Sequence, residues 1–207
     1  MYPSAIKKGL TYFEYRKLVS DLFANQKNTG TNHSEEYLNY TNMNIRRMDR
    51  LDKNAELTPS TIQVIQSIDV PMTWLTLTEG WCADAAQCLP YLSKMSEINE
   101  SINLKLIMRD ENLDIMDAHL FNGTRSIPKV IILHTETLAV LGEWGPRPQS
   151  AQDIVDQAKA DKNNSNDGAI KALIDYEKNK DMQLWYKKNK GVMLQEEMIT
   201  LLGSTLK

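Results

Sequence analysis

Cysteine is scarce in this sequence, with two copies in 207 residues. That excludes the small disulfide-stapled scaffolds, which need several bridges to hold a fold that lacks a large core. Charge of one sign is also missing, since 24 Lys and Arg stand against 27 Asp and Glu for a formal net charge of −3. Such a balance gives no basic footprint for a nucleic-acid backbone or an anionic membrane, so neither is expected as a partner. Long hydrophobic runs are lacking too: stretches such as 129–133 fall far short of the roughly 20 apolar residues of a membrane-spanning helix. Nine glycines and seven prolines are too few for a collagenous or low-complexity chain. His33, His119 and His134 do not combine with the cysteines at any metal-ligand spacing, so no metal and no cofactor are expected. Glu14 and Arg16 fall where a secretory segment keeps an uninterrupted apolar stretch, and a soluble, cytoplasmic protein is the expectation.

What is present is an ordinary globular composition, 42% hydrophobic and 25% charged. A chain of this length buries roughly 70% of the surface its unfolded form exposes, enough for one core with an attached layer. Apolar residues at helical spacing mark helices over 11–26 and 34–51. Thr58-Pro59, a capping residue followed by proline at the first helical position, starts a third helix that runs through Ile68. The pattern then turns to short β-prone runs at 72–78, 104–108, 129–133 and 138–141. Helical stretches separate the first two runs, from Cys82, and the next two, over 113–121, while a short gap makes the last pair a hairpin. Two right-handed crossovers and a hairpin predict an α/β fold with a mixed four-stranded sheet, its first strands parallel and one antiparallel strand at the end. The 142–148 segment reads as an ordered loop capping the sheet, and helices resume to the C-terminus with a polar break at 163–168. The chain thus divides into a helical extension over 1–68, a core over 69–160 and a second helical extension over 161–207, packed as one compact unit.

The chemistry concentrates in Trp81-Cys82-Ala83-Asp84-Ala85-Ala86-Gln87-Cys88-Leu89-Pro90, directly after the first strand. A cysteine at a strand-to-helix junction meets unpaired helix N–H groups and the positive end of the helix dipole, which favours a thiolate. A strand ending in Trp81-Cys82, a helix with Pro90 eight residues on, and a later strand entered through Ser126-Ile127-Pro128 resemble the thioredoxin superfamily, over about residues 68–160. The resemblance implies a thioredoxin-like fold flanked by helices, a cis-proline at Pro128 facing the reactive Cys82, and a backbone at Ile127 that pairs with an extended substrate. It also implies thiol–disulfide exchange in cell redox homeostasis.

One departure matters. The family's second, resolving cysteine lies three residues after the first, and Ala85 stands there. Six residues along a helix separate Cys82 from Cys88, placing their Cα atoms roughly 10 Å apart, whereas a disulfide tolerates roughly 7 Å at most. Cys88 instead falls on the apolar stripe of Ala85, Leu89, Leu92 and Met95 and reads as a small buried hydrophobe, with an accessory role left open. The motif therefore reads as a monothiol variant, Trp-Cys-x-Asp-Ala, in which an exposed Cys82 attacks a protein or low-molecular-weight disulfide and needs an external thiol such as glutathione for release. Asp84 reads as a solvated or capping carboxylate, or as a buried proton acceptor; in either case its charge opposes a nearby thiolate. Arg125 offsets Asp84, or meets an anionic ligand, or is simply solvated. Trp81 reads as a wall of the site. The competing reading is a redox-inactive thioredoxin-fold binding module whose added helices recognise a partner. The oligomeric state is left open.

Overall fold

The computed structural model describes residues 1–205. Four helices come first: α1 (Tyr2–Lys8), α2 (Tyr12–Ala24), α3 (Glu35–Asn54) and α4 (Pro59–Gln66). Thr11 and Glu14 form a reciprocal capping box at the start of α2, and the Thr58 hydroxyl caps α4 ahead of Pro59. The short α1 has no apolar periodicity long enough to mark it in the sequence. Its end delivers Leu10 to the outer strand, where Leu10 and Leu106 exchange two backbone hydrogen bonds of 2.8 Å and shield that sheet edge.

The core alternates β1 (Met72–Thr78), α5 (Ala83–Glu97), β2 (Ile102–Met108), a 3₁₀ turn at Arg109–Glu111, α6 (Leu113–Ala118), β3 (Lys129–His134) and β4 (Val140–Trp144). The strand order is β2-β1-β3-β4, with β1 central and buried at all seven positions. β1 and β2 are parallel, in register from Met72 with Ile102 to Thr78 with Met108. β3 runs antiparallel to β1, pairing Leu77 with Lys129 and Met72 with His134, and β4 runs antiparallel to β3. The expected second parallel crossover is therefore corrected. The six-residue α6 rises only about 9 Å, against about 23 Å for a seven-residue strand, and the rest of the 109–128 connection does not run back along the sheet. The chain enters β3 at the end of the sheet where β2 leaves it, which brings Ile127-Pro128 beside the start of α5.

Two boundaries also move. The helix expected to reach residue 121 stops at Ala118, and Asn122 and Gly123 adopt φ values of 47° and 72° in a tight turn closed by Phe121 and Thr124. The last strand starts later than residue 138 because Leu138, at φ 57°, belongs to the turn; Gly142 to Trp144 lie in β4 and not in a loop. Beyond the sheet come α7 (Gln149–Asn163), α8 (Gly168–Asn189) and α9 (Val192–Thr205). α3 packs on α5, α9 packs on β4 and α4, and α7 packs on α8, so both extensions close around the core. The Trp144 indole donates to Glu197 of α9 at 2.7 Å. His119 is structural, held between the Tyr2 hydroxyl and Glu143 at 2.6 Å each, with buried Lys129 on the other Glu143 oxygen. Among the described residues, no helix is long and apolar enough to cross a membrane.

Gly145 places the loop after β4 against the Cys82 end of the sheet. Its φ is +116°, and a Cβ there would collide with the Pro128 carbonyl oxygen. Gly145→Ala is expected to cost about 2 kcal/mol or more in urea unfolding. Gly203→Ala on α9 meets nothing within 4 Å and is expected to gain about 0.5–1 kcal/mol. Equal stability of the two variants would contradict this packing.

Candidate functional site around Cys82

The turn that carries the cysteine is fixed from three directions. Gly80 donates its N–H to Thr29 Oγ1 at 2.7 Å, and its carbonyl accepts from Asn44 of α3 at 3.0 Å. Glu79 is fully buried and accepts the Asp110 N–H at 3.0 Å, while burial pushes its carboxyl above the usual range. Cys82 follows as the N-cap of α5, its sulfur accepting from the Ala85 N–H at 3.5 Å. Its thiol donates to the Ile127 carbonyl at 3.2 Å. The Ile127-Pro128 peptide bond is cis, and both residues are buried.

Cys82 is 7% exposed, which corrects the expectation of an exposed thiol. The helix-end preference for a thiolate meets two opposing effects. Burial first, and the Asp84 charge second, push the thiol pKa up to about 12, outweighing the backbone N–H groups and Arg147 that act the other way. A capping position favours a thiolate only where water or cations stay close, and this sulfur is buried with the Asp84 charge acting against its anion.

Asp84 is neither solvated nor capping. Its Oδ2 accepts from Arg147 Nε and Nη2 at 2.9 and 2.6 Å, and its Oδ1 accepts the Tyr186 hydroxyl at 2.7 Å. Arg147 also donates to Gln152, and the Tyr186 oxygen lies 4.0 Å from the sulfur of buried Cys88. Burial drives Tyr186 well above the ordinary tyrosine range, so its phenol stays a donor. Arg125 does not offset Asp84; it pairs with Asp117 at 2.6 and 2.8 Å on the exposed rim. Arg147 takes that place, and sequence reasoning missed it inside the Gly145-Pro146-Arg147-Pro148 run. Both cysteines are free thiols.

Above Cys82 lies a cleft of about 560 Å³. α3 supplies Tyr37, Tyr40, Met43 and Arg47, α8 supplies Lys178, Met182 and Tyr186, and the core supplies Trp81, Asp84, Arg109, Arg125 and Ile127. Trp81 is a half-buried wall: the Arg109 guanidinium sits 4.9 Å over its ring, and Tyr37 meets it edge-on at 5.3 Å. Among the described residues, no group of three or more His, Cys, Asp or Glu could hold a metal ion.

A family model described as thioredoxin matches residues 30–159. The chain belongs to the thioredoxin family. No curated protein matches it. Among solved structures, this thioredoxin-family chain is similar to a Pseudomonas aeruginosa protein of unknown function, at 20% identity and a TM-score of 0.58, covering 98% of this chain and 97% of that one. An HIV epitope-scaffold is similar at 18% identity and a TM-score of 0.59, covering 98% of both chains. These likenesses show the fold, including the helices at both ends.

If the Asp84 charge helps to hold the thiol protonated, Asp84→Asn keeps an acceptor for Tyr186 while removing the repulsion and freeing the Arg147 cation. Alkylation of Cys82 by iodoacetamide at pH 8, followed by peptide mass, is expected to accelerate by about tenfold or more. An unchanged rate would remove Asp84 from the account.

Proposed function

We propose that this thioredoxin-family protein is a binding module for a low-molecular-weight ligand, with Cys82 a neutral thiol on the floor of the binding cleft at neutral pH. One arrangement carries the reading. The Cys82 thiol is buried, spends its proton on the Ile127 carbonyl and lies beside the Asp84 carboxylate. A sulfur so placed is a hydrogen-bond donor and a poor nucleophile. The cleft volume of about 560 Å³ falls within the range of small-molecule sites. Its walls are α3 and α8, which lie outside the four-stranded core and bound the Cys82 face. A ligand that fits between those helices meets their side chains as well as the Cys82 face.

A second reading has its own supporting observation: Cys82 caps α5 against the cis Ile127-Pro128 bond. There the Cys82 sulfur bonds to one sulfur of a protein or low-molecular-weight disulfide, and the other sulfur leaves as a thiol with the Cys82 proton. An external thiol such as glutathione then attacks the mixed disulfide and restores Cys82, since Ala85 stands at the resolving position.

The pH dependence of Cys82 alkylation separates the two. The binding reading predicts a midpoint above about pH 10 and no acceleration of insulin reduction by dithiothreitol. A midpoint at or below about 8.5, with a trapped Cys82 mixed disulfide, would overturn it in favour of exchange.

A further inference from the structure

Among the described residues, five cations line the Cys82 cleft against the single carboxylate of Asp84. Four of them have a carboxylate within 4 Å: Arg109 with Asp110, Arg125 with Asp117, Arg147 with Asp84 and Lys178 with Asp175. Arg47 has none among the described residues. Its guanidinium makes one hydrogen bond there, from Nη1 to the Asn44 oxygen at 2.8 Å. Asn44 is fully buried and uses its amide nitrogen to hold the Gly80 carbonyl at 3.0 Å. An unpaired, half-buried cation is thus tethered through one rigid side chain to the turn that carries Cys82. Burial, opposed in part by Asp84, pulls its pKa below the usual arginine range, the mark of a charge that lacks a counter-ion.

The tether leaves the Nε–Nη2 edge without a protein acceptor among the described residues. That edge carries two parallel N–H groups spaced for the two oxygens of a carboxylate. Tyr40, Met43 and Arg47 recur at i, i+3 and i+7 on α3, so they share one helix face. Tyr40 and Met43 remain 39% and 41% exposed on the wall of the cleft, which leaves apolar surface open to a ligand. Met182 of α8 adds to the apolar lining.

We infer that the cleft takes a small carboxylate with an apolar body, its carboxylate on the free edge of Arg47 and its body along Tyr40 and Met43. This rests on the reading that the cleft is the ligand site. The ligand reaches the site as a bound anion, and no covalent step is required.

Dansylglycine and its uncharged methyl ester test the inference by fluorescence titration on the full chain. The acid is expected to bind the native protein at least about tenfold more tightly than the ester does. Arg47→Met, which keeps the apolar stem, should erase that preference, and Arg47→Lys should recover part of it because a point charge lacks the fork. Bound acid should also slow iodoacetamide labelling of Cys82 at pH 9, which places it in this cleft. Equal binding of acid and ester, an unchanged preference in Arg47→Met, or no binding at all would overturn the inference. So would displacement of the probe by inorganic phosphate at lower concentration than by acetate. A reactive Cys82 with carboxylate binding intact would sink only the neutral-thiol reading and leave the Arg47 site standing.

Discussion

The site depends on the grip that Arg147 and Tyr186 hold on Asp84. Asp84 sits in the first turn of α5, two residues after Cys82, where a free carboxylate would turn toward water. Arg147 arrives from the loop after β4 and Tyr186 from α8, at sequence separations of 63 and 102 residues. Their hydrogen bonds hold the half-buried carboxylate next to a sulfur that burial already disfavours as an anion. One interaction therefore adds to the effect of burial on the thiol and ties α8 over it.

A buried ion pair of this kind adds little net stability, because desolvation offsets the attraction, while loss of one partner costs about 3–5 kcal/mol. Its worth is specificity of arrangement. α8 has no buried residue of its own, and Tyr186 is the side chain that ties it to the core motif. On the opposite wall Asn44 plays a comparable part, joining α3 to the Gly80 carbonyl and aiming Arg47 into the same space. The helices added at the two ends of the chain thus both border Cys82 and bound its cleft, in which Arg47 is the one cation without a carboxylate partner among the described residues.

Much of this fold is legible in the sequence, and the illegible parts share a cause. β3 carries a continuous apolar run over 130–133, β1 is β-prone with apolar residues and threonines, and Trp81, Cys82, Ile127 and Pro128 mark the junction between them. The direction of β3 is not written in its own residues; it depends on the path of the whole 109–128 connection, of which α6 is only six residues. Cys82 is recognisable as the focus, yet its burial is not, because helix-end electrostatics can be read locally while burial and the partners that hold Asp84 cannot. Arg147, Tyr186 and Arg47 were missed as site residues for the same reason. Each belongs to a segment whose local pattern signals only a loop or an amphipathic helix, and each gains its role from a partner far along the chain.

The scarcity of cysteine makes the central claim directly measurable. With cysteine labelled at 13Cβ, the spectrum holds two signals, one from Cys82 and one from Cys88. Neutral Cys82 held by burial and by the Asp84 grip predicts a signal that keeps its thiol position from pH 5 to about pH 10. A Cys82 signal that titrates with a midpoint near pH 7 or below would contradict the account.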